Sequence, residues 1–334
     1  LTPKAVHPSS QAVISEKLAR RALDVVAVGD LNVDIITSPI SSLPEPETSH
    51  TVDSMRLYTG GNAANFAAAA ASLGMRTAFI GALGEDPISG WLQAAMSRYG
   101  VRLAVKTRPE SAAGITFAIT YVDGRRQFIA THGSNLDLSY EDIDLSLVES
   151  AGHLHRSGFW YCPQLMGEPT RRLLRHARER GVQTSLDIGW DSQGWTDHRV
   201  SLVHQALVET DILFINEQEL KRLTRKEAVD DAVSKVLEIG VGMVALHLGE
   251  KGSMVATPSE SLMASAFKVK PLNPTGSGDV YNAAFVYGVL QGWAPAEAAL
   301  FANAAAALHI LRTGPVFPKL RDVEEFMSRA DART

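Results

Sequence analysis

Cysteine is almost missing from this chain. Cys162 is the only one in 334 residues, so no intrachain disulfide and no cysteine-based zinc cluster can form. That favours a reducing compartment, and a cytoplasmic location is the expectation. Long apolar runs are missing too: the alanine-rich stretch from Ala63 to Ala71 falls well short of the roughly 20 residues that a spanning helix needs. It reads as a buried helix, and no membrane partner is expected. The stretch Leu1 to Asp24 mixes Lys4, Glu16, Lys17, Arg20 and Arg21 and lacks the apolar run of a secretory signal, so residues 1–23 read as an N-terminal extension. Positive charge is not in excess. A formal net charge of -5 gives no general attraction to phosphate backbones and argues against nucleic acid as the partner. No G-x-x-x-x-G-K-[ST] segment occurs, which disfavours a P-loop kinase. No internal repeat or low-complexity linker divides the chain.

What is present is a β-α-β rhythm. Asp24 to Val28 is a nearly continuous apolar run closed by Gly29, which suits a strand buried on both faces of a parallel sheet. Helix Gly61 to Leu73, strand Thr77 to Ala82 and helix Pro87 to Tyr99 follow. Later come strand Leu154 to Ser157, helix Pro169 to Arg180, strand Gln183 to Asp187, helix Arg199 to Val208, and strands Ile212 to Ile215 and Met243 to Leu248. The alternation predicts an α/β fold with a doubly wound sheet covered by helices, in one domain over residues 24–330. Two stretches break the rhythm. Residues 35–58, with Pro39, Pro44 and Pro46, and residues 114–131, with the Asp123-Gly124 turn, read as exposed strands of one accessory sheet.

The segment richest in chemistry is Asn273-Pro274-Thr275-Gly276-Ser277-Gly278-Asp279, where an extended stretch meets a glycine-rich turn and then a long apolar helix from about Asp279. Gly276, small Ser277 and Gly278 allow backbone N–H groups to converge on the first helical turn, where unsatisfied donors and the positive end of the dipole stabilise phosphate oxygens. A carboxylate at Asp279 is then placed to accept a proton from an attacking hydroxyl. An ordinary acid at a helix N-terminus would look the same in sequence. Upstream lies a second glycine pair, Thr59-Gly60-Gly61-Asn62-Ala63-Ala64-Asn65, again at a helix start, and before it Gly29-Asp30-Leu31-Asn32-Val33-Asp34. On an extended strand, Asp30, Asn32 and Asp34 project from one side. Such carboxylate and amide groups can hold several hydroxyls at once, although Asn and Asp are equally at home in a plain turn.

Together these segments resemble the ribokinase family of carbohydrate kinases, also called the PfkB family, from about Val25 to Met327. N-P-T-G-S-G-D is similar to the family's D-T-x-G-A-G-D signature, and T-G-G-N-A-A-N to its upstream glycine motif. Asn216-Glu217-Gln218-Glu219 resembles the N-x-x-E motif, and Leu248-Gly249-Glu250-Lys251-Gly252 the L-G-x-x-G nucleotide loop. The helix Phe301 to Leu308, with Asn303, and the following Thr313-Gly314 resemble the border of the adenine site. The resemblance implies a large α/β domain with a small β-sheet lid and an ATP-dependent transfer to a sugar hydroxyl. Asp34 and Asn32, with Asp30, would bind substrate hydroxyls, while Gly60, Gly61 and Asn65 would shape that pocket. Gly276, Ser277 and Gly278 would form the anion hole and Asp279 would be the base. Asn216, Gly249, Gly252, Asn303 and Gly314 would contact nucleotide, and Glu219 would act indirectly in the Mg²⁺ network. The family's first signature position is usually Asp. Neutral Asn273 therefore puts activation by K⁺ in doubt.

Other segments carry less. Gly240-Val241-Gly242 opens a strand rather than a helix, and Tyr281 occupies the third glycine position after Gly276 and Gly278, so a dehydrogenase is disfavoured. His153 and His155 read as core or surface residues rather than metal ligands, and His247 receives no role. Arg171, Arg172 and Arg175 read as a solvated helix face. Asp187 and Asp191 stand at a strand end, where a loop role is at least as natural as a pocket role. Two rival functions remain open: a nucleoside kinase of the same fold, with Phe117, Tyr121 or Phe128 stacking on a base, and a non-catalytic sugar- or nucleotide-binding regulator, hinted at by Asn273. A homodimer through the lid edge is also left open.

Overall fold

The computed structural model describes residues 21–123, 125–312 and 316–331. Most of the N-terminal extension, Gly124 of the anticipated turn and Gly314 thus lie outside the described residues. Two sheets form among the rest. The larger contains β1 (Leu23–Val28), β4 (Thr77–Leu83), β5 (Arg102–Thr107), β8 (Ala151–Arg156), β9 (Gln183–Asp187), β10 (Ile212–Asn216), β11 (Met243–His247), β12 (Ser253–Ala256) and β13 (Ser261–Ala264), in the order β13-β12-β11-β10-β9-β8-β1-β4-β5. The smaller contains β2 (Asn32–Thr37), β3 (Met55–Gly60), β6 (Gly114–Thr120) and β7 (Arg126–Thr131), in the order β3-β2-β6-β7.

Pairing from β5 across to β11 is parallel, and β12 and β13 close that end antiparallel. The apolar run of β1 explains its central place. Successive side chains of a strand point to opposite faces, and Val25 and Ala27 enter one core while Val26 and Val28 enter the other. On the first face lie the helices Asn62–Ser72, Ser277–Leu290 and Pro295–Ile310. On the second lie the helices Glu168–Glu179, Asp197–Leu207 and Val229–Ile239. Each core therefore needs the same sheet, which ties the sequence-distant halves into one unit.

The alanine-rich helix Asn62–Ser72 is buried from Ala63 to Ala70. Its small side chains let it pack closely against the helix Ser277–Leu290, whose Ala283 and Ala284 are also buried. Both helices begin beneath the lid, so this packing fixes two glycine-rich helix starts side by side. The four-stranded lid matches the two irregular stretches. It begins earlier than expected, because β2 starts at Asn32 rather than near Ile35. Asn32 and Asp34 consequently belong to the lid, while Asp30 stays in the link from β1. At the departure point Gly29 allows a close approach that no other residue would, since a Cβ there would stand 2.1 Å from the Ser157 carbonyl oxygen. Gly240 and Gly242 lead into β11 as anticipated. β5, β12 and β13 are strands that periodicity did not single out.

Candidate active site

Between the lid and the C-terminal ends of β9, β10 and β11 lies a cavity of about 720 Å³. Its position follows the general rule that open α/β sheets bind ligands outside the carboxyl ends of their strands. Asp187, Asn216 and His247 are the last residues of those three strands and all reach it. From the lid come Asn32, Asp34, Thr116 and Phe128, and from the opposite wall Gly276, Ser277, Gly278 and Asp279.

The lid side is built around Asp34. In register, Asp34 lies opposite Tyr58 on β3 and Thr116 on β6. The Asn32 amide donates from Nδ2 to Asp34 Oδ1 at 2.7 Å and to Thr116 Oγ1 at 3.2 Å. Burial pushes the Asp34 carboxyl up to about 6, and the nearby charge of Asp30 pushes the same way against the hydrogen bonds from Thr116 and Asn32. Gly60 is required here, since a Cβ at that position would sit 2.3 Å from Asp34 Oδ1. Gly61 adopts φ 97° and places its absent Cβ 2.6 Å from the Asp30 carbonyl oxygen.

Asp30 reaches the cavity edge, but its carboxylate is engaged elsewhere. Its two oxygens accept the N–H groups of Asn62 and Ala63, each at 3.1 Å, so it caps the first turn of the alanine-rich helix. Burial raises its pKa despite these bonds and the fully buried Arg156 nearby. All three polar residues singled out at this point line the cavity, and Asp30 in addition holds the start of the alanine-rich helix.

On the opposite wall Gly276 is the N-cap at φ 79°, a left-handed conformation. Ser277, Gly278 and Asp279 form the first helical turn, so the helix starts two residues before Asp279 rather than at it. Asn65 Nδ2 donates to Asp279 Oδ2 at 2.9 Å. This bond joins residues 214 positions apart. Burial, followed by the charge of Asp187, holds the Asp279 carboxyl well above the usual carboxylate range. Asn273 Oδ1 accepts the N–H of Thr275 at 3.1 Å, a turn-closing bond for which an amide oxygen serves as well as a carboxylate.

Asn216 caps the helix Glu217–Thr224 in a reciprocal box: its Oδ1 accepts the Glu219 N–H at 2.9 Å and Glu219 Oε2 accepts the Asn216 N–H at 3.1 Å. Glu219 and Asp187 are both raised, first by burial, and for Glu219 next by the Asp187 charge. Asn282 Nδ2 donates to Asp187 Oδ2 at 2.6 Å, which leaves its Oδ1 to accept from His247 Nε2 at 3.0 Å. His247 is thereby fixed with its proton on Nε2, and burial lowers its pKa to about 4. Among the described residues lining the cavity there is no Lys or Arg, so the repulsion between these carboxylates has no protein cation to relieve it. A divalent cation fits that need. Mg²⁺ is an ion that commonly keeps waters and takes one or two carboxylates together with substrate phosphates, and Asp187 and Glu219 are carboxylates on this cavity.

The remaining expected nucleotide residues among those described, Gly249, Gly252 and Asn303, lie outside the cavity lining. A Cβ at Gly252 would sit 2.1 Å from the Ala264 carbonyl oxygen, and Asn303 Nδ2 donates to the carbonyls of Ala264 and Ser265 at 3.0 and 3.1 Å. Gly249 opens the short turn before Gly252. Gly252 and Asn303 thus meet at the end of β13, and the Gly249 carbonyl accepts the Gly252 N–H. His153 and His155 are buried and share Ser185 Oγ, at 2.7 and 2.8 Å. Arg171 and Arg175 pair with Glu168 and Glu209, and Arg172 lies over the Tyr140 ring. Asp191 pairs with Arg199. Sequence reasoning left Asp187 undecided and gave His247 no role, and it missed Asn282 altogether. The usable signal for the first two was their place at strand C-termini.

A helix end open to anions, facing a wall that accepts hydroxyls across one cleft, is the equipment of a small-molecule kinase. The model of the pfkB family carbohydrate kinases matches residues 22–321, and the chain belongs to that family. It is 25% identical over 323 residues to the 5-dehydro-2-deoxygluconokinase of Clostridium perfringens, covering 93% of this chain and 94% of that protein. It is 28% identical over 331 residues to the ribokinase of Arabidopsis thaliana, covering 95% and 84%. The solved structure of Arabidopsis thaliana ribokinase complexed with ribose and ATP superimposes with a TM-score of 0.80 at 29% identity, over 92% of this chain and 99% of that one.

Proposed function

We propose that this chain transfers the γ-phosphoryl group of ATP to a hydroxyl of a sugar, with Asp279 as the general base. The observation that carries the reading is the position of Asp279, in the first turn of a glycine-capped helix and held by Asn65, on the same cavity as Asn32 and Asp34. Asn32 and Asp34 hold acceptor hydroxyls, and the backbone N–H groups of Gly276 to Gly278 stabilise phosphate oxygens. A carboxyl raised by burial is a stronger base than an exposed one, and it is suited to take the hydroxyl proton as the new bond forms. Asp187 and Glu219 are the residues for Mg²⁺, which supplies charge neutralisation for the phosphates. Asn273 brings no charge to its turn, so the proposal carries ATP and Mg²⁺ without K⁺. β3 and β7 are the unpaired lid edges along which a homodimer would pair.

Phe128, the lid aromatic that lines the cavity, is the observation that favours a nucleoside as the alternative acceptor. ADP release with Mg²⁺-ATP, measured across pentoses, hexoses and nucleosides, separates the readings. At least one sugar is expected to raise ADP release 10²-fold over the acceptor-free rate. Stimulation by nucleosides alone would replace the sugar, and ligand binding without any ADP release would replace the kinase by a binding protein.

A further inference from the structure

Behind the turn that opens the helix Ser277–Leu290 stands His309, one residue before the end of the helix Pro295–Ile310 and only 1% exposed. Its Nε2 lies 2.9 Å from the Thr275 carbonyl oxygen. A carbonyl oxygen only accepts, so Nε2 carries the proton whether the ring is neutral or charged. The ring is stacked on Phe317 with an interplanar angle of 11°, which fixes the direction of that N–H. The same helix end receives the chain just before the turn: the Ile310 carbonyl accepts the N–H groups of Leu272 and Asn273 at 2.8 and 3.1 Å. Two backbone bonds and one side chain thus moor the turn to one helix end.

What the side chain does follows from the geometry of one peptide. The Thr275–Gly276 peptide is trans, so its C=O and N–H point to opposite sides of the chain. His309 stands outside the lining of the large cavity, whereas Thr275 and Gly276 line it. A Cβ on Gly276 would meet His309 Nε2 at an ordinary 3.5 Å, which puts the ring directly behind that residue. A carbonyl drawn back toward His309 therefore turns the Gly276 N–H forward into the cavity. The neighbouring Ser277 N–H is drawn to the Pro274 carbonyl at 3.3 Å, so the aim of the Gly276 N–H carries more of the phosphate contact. We infer that His309 is a positioning residue: by holding the Thr275 carbonyl it aims the Gly276 N–H at a phosphate oxygen of the nucleotide, a role that rests on the kinase reading above. Donation to the carbonyl also polarises the shared peptide and makes its N–H a stronger donor.

The test is calorimetric titration of the full chain and two variants with two probes: the non-hydrolysable ATP analogue AMP-PNP with Mg²⁺, and adenosine, which has no phosphate. His309→Leu fills the space without a donor, and His309→Gln can again donate an N–H to the Thr275 carbonyl. His309→Leu is expected to bind AMP-PNP about 10-fold or more weakly than the parent and adenosine within about 3-fold, with His309→Gln back within about 3-fold for AMP-PNP. Unchanged AMP-PNP binding in His309→Leu would overturn the inference. So would an equal loss for adenosine, the mark of a merely disturbed helix, or a His309→Gln as weak as His309→Leu. Should His309→Leu not fold, the unaltered protein decides: the nitrogen-15 amide signal of Gly276 is expected to move with AMP-PNP and to stay in place with adenosine, and a signal that ignores AMP-PNP would overturn the inference. The kinase reading fails by a different sign. AMP-PNP binding that depends on His309, without ADP release from ATP with any acceptor, would leave the role of His309 standing and remove the phosphoryl transfer.

Discussion

Asp34 and Asp279 are poor choices for stability. Each is a carboxylate held away from water beside other carboxylates, and each is raised for that reason. For Asp34 the folded pKa is about 6 against an ordinary carboxylate value of 3.8. A raised folded pKa means stability that is fully present below the unfolded value and is lost as pH rises through about 6. Asp34→Asn keeps an acceptor for the Asn32 amide but removes the buried charge. It should stabilise the ligand-free protein by about 1–3 kcal/mol at pH 8, a gain that shrinks away toward pH 4, while weakening sugar binding. Urea unfolding at the two pH values reads this directly, and a variant no more stable than the parent at pH 8 would contradict it. At this scale the sequence was uneven as a guide. Asp279 was legible because glycines mark the helix start before it, whereas Asp187 was not, because a strand-end Asp looks the same whether it faces a loop or a pocket. Asp30 has a second task that alternation does not show. Alternation put it in line with Asn32 and Asp34, and only the turn at Gly29 sends its carboxylate to the backbone of Asn62 and Ala63.

At the scale of the element, the start of the helix Ser277–Leu290 separates folding from function residue by residue. Gly276 has φ 79°, and its absent Cβ would lie 3.4 Å from Asn65 Nδ2. Gly278 has no such strain, and a Cβ there meets His247 Cε1 at an ordinary 3.5 Å. Gly276→Ala should therefore cost about 1–2 kcal/mol of stability, and Gly278→Ala should stay within about 0.5 kcal/mol. A methyl at either position alters the helix start proposed to bind phosphate, and both should weaken nucleotide binding at least 10-fold. Thermal unfolding paired with nucleotide titration checks the contrast, and equal stability losses would refute it. The glycine-rich character of this segment was plain in the sequence. Its start two residues earlier than expected was not, because the apolar pattern only becomes continuous after Asp279. The lid strands were found as breaks in the β-α-β rhythm. β12 and β13 passed unnoticed, as four-residue strands give too short a window for alternation to register.

For the whole molecule, the alternation of apolar strands and helices disclosed the doubly wound sheet, and the two breaks in it disclosed the small lid sheet. What the sequence could not display is the convergence of its far ends. Asn65 and Asp279 meet only because two helices with small buried side chains pack together beneath the lid, each started by a glycine turn. The proposed site is thus divided among separate supports: the acceptor wall on β2, the phosphate-binding N–H groups on a helix start, the Asp187 carboxylate at a strand end and the Glu219 carboxylate in the first turn of the helix after β10. The single group where these supports meet is Asp279. Replacing Asp279 by Asn preserves shape while removing the proposed base, so the two bound partners should be kept and the reaction between them lost. The decisive measurement is turnover of Asp279→Asn set beside its affinities for ATP and for the best sugar acceptor. The account predicts affinities within about 5-fold of the parent and turnover lowered at least 10²-fold; near-normal turnover would contradict it.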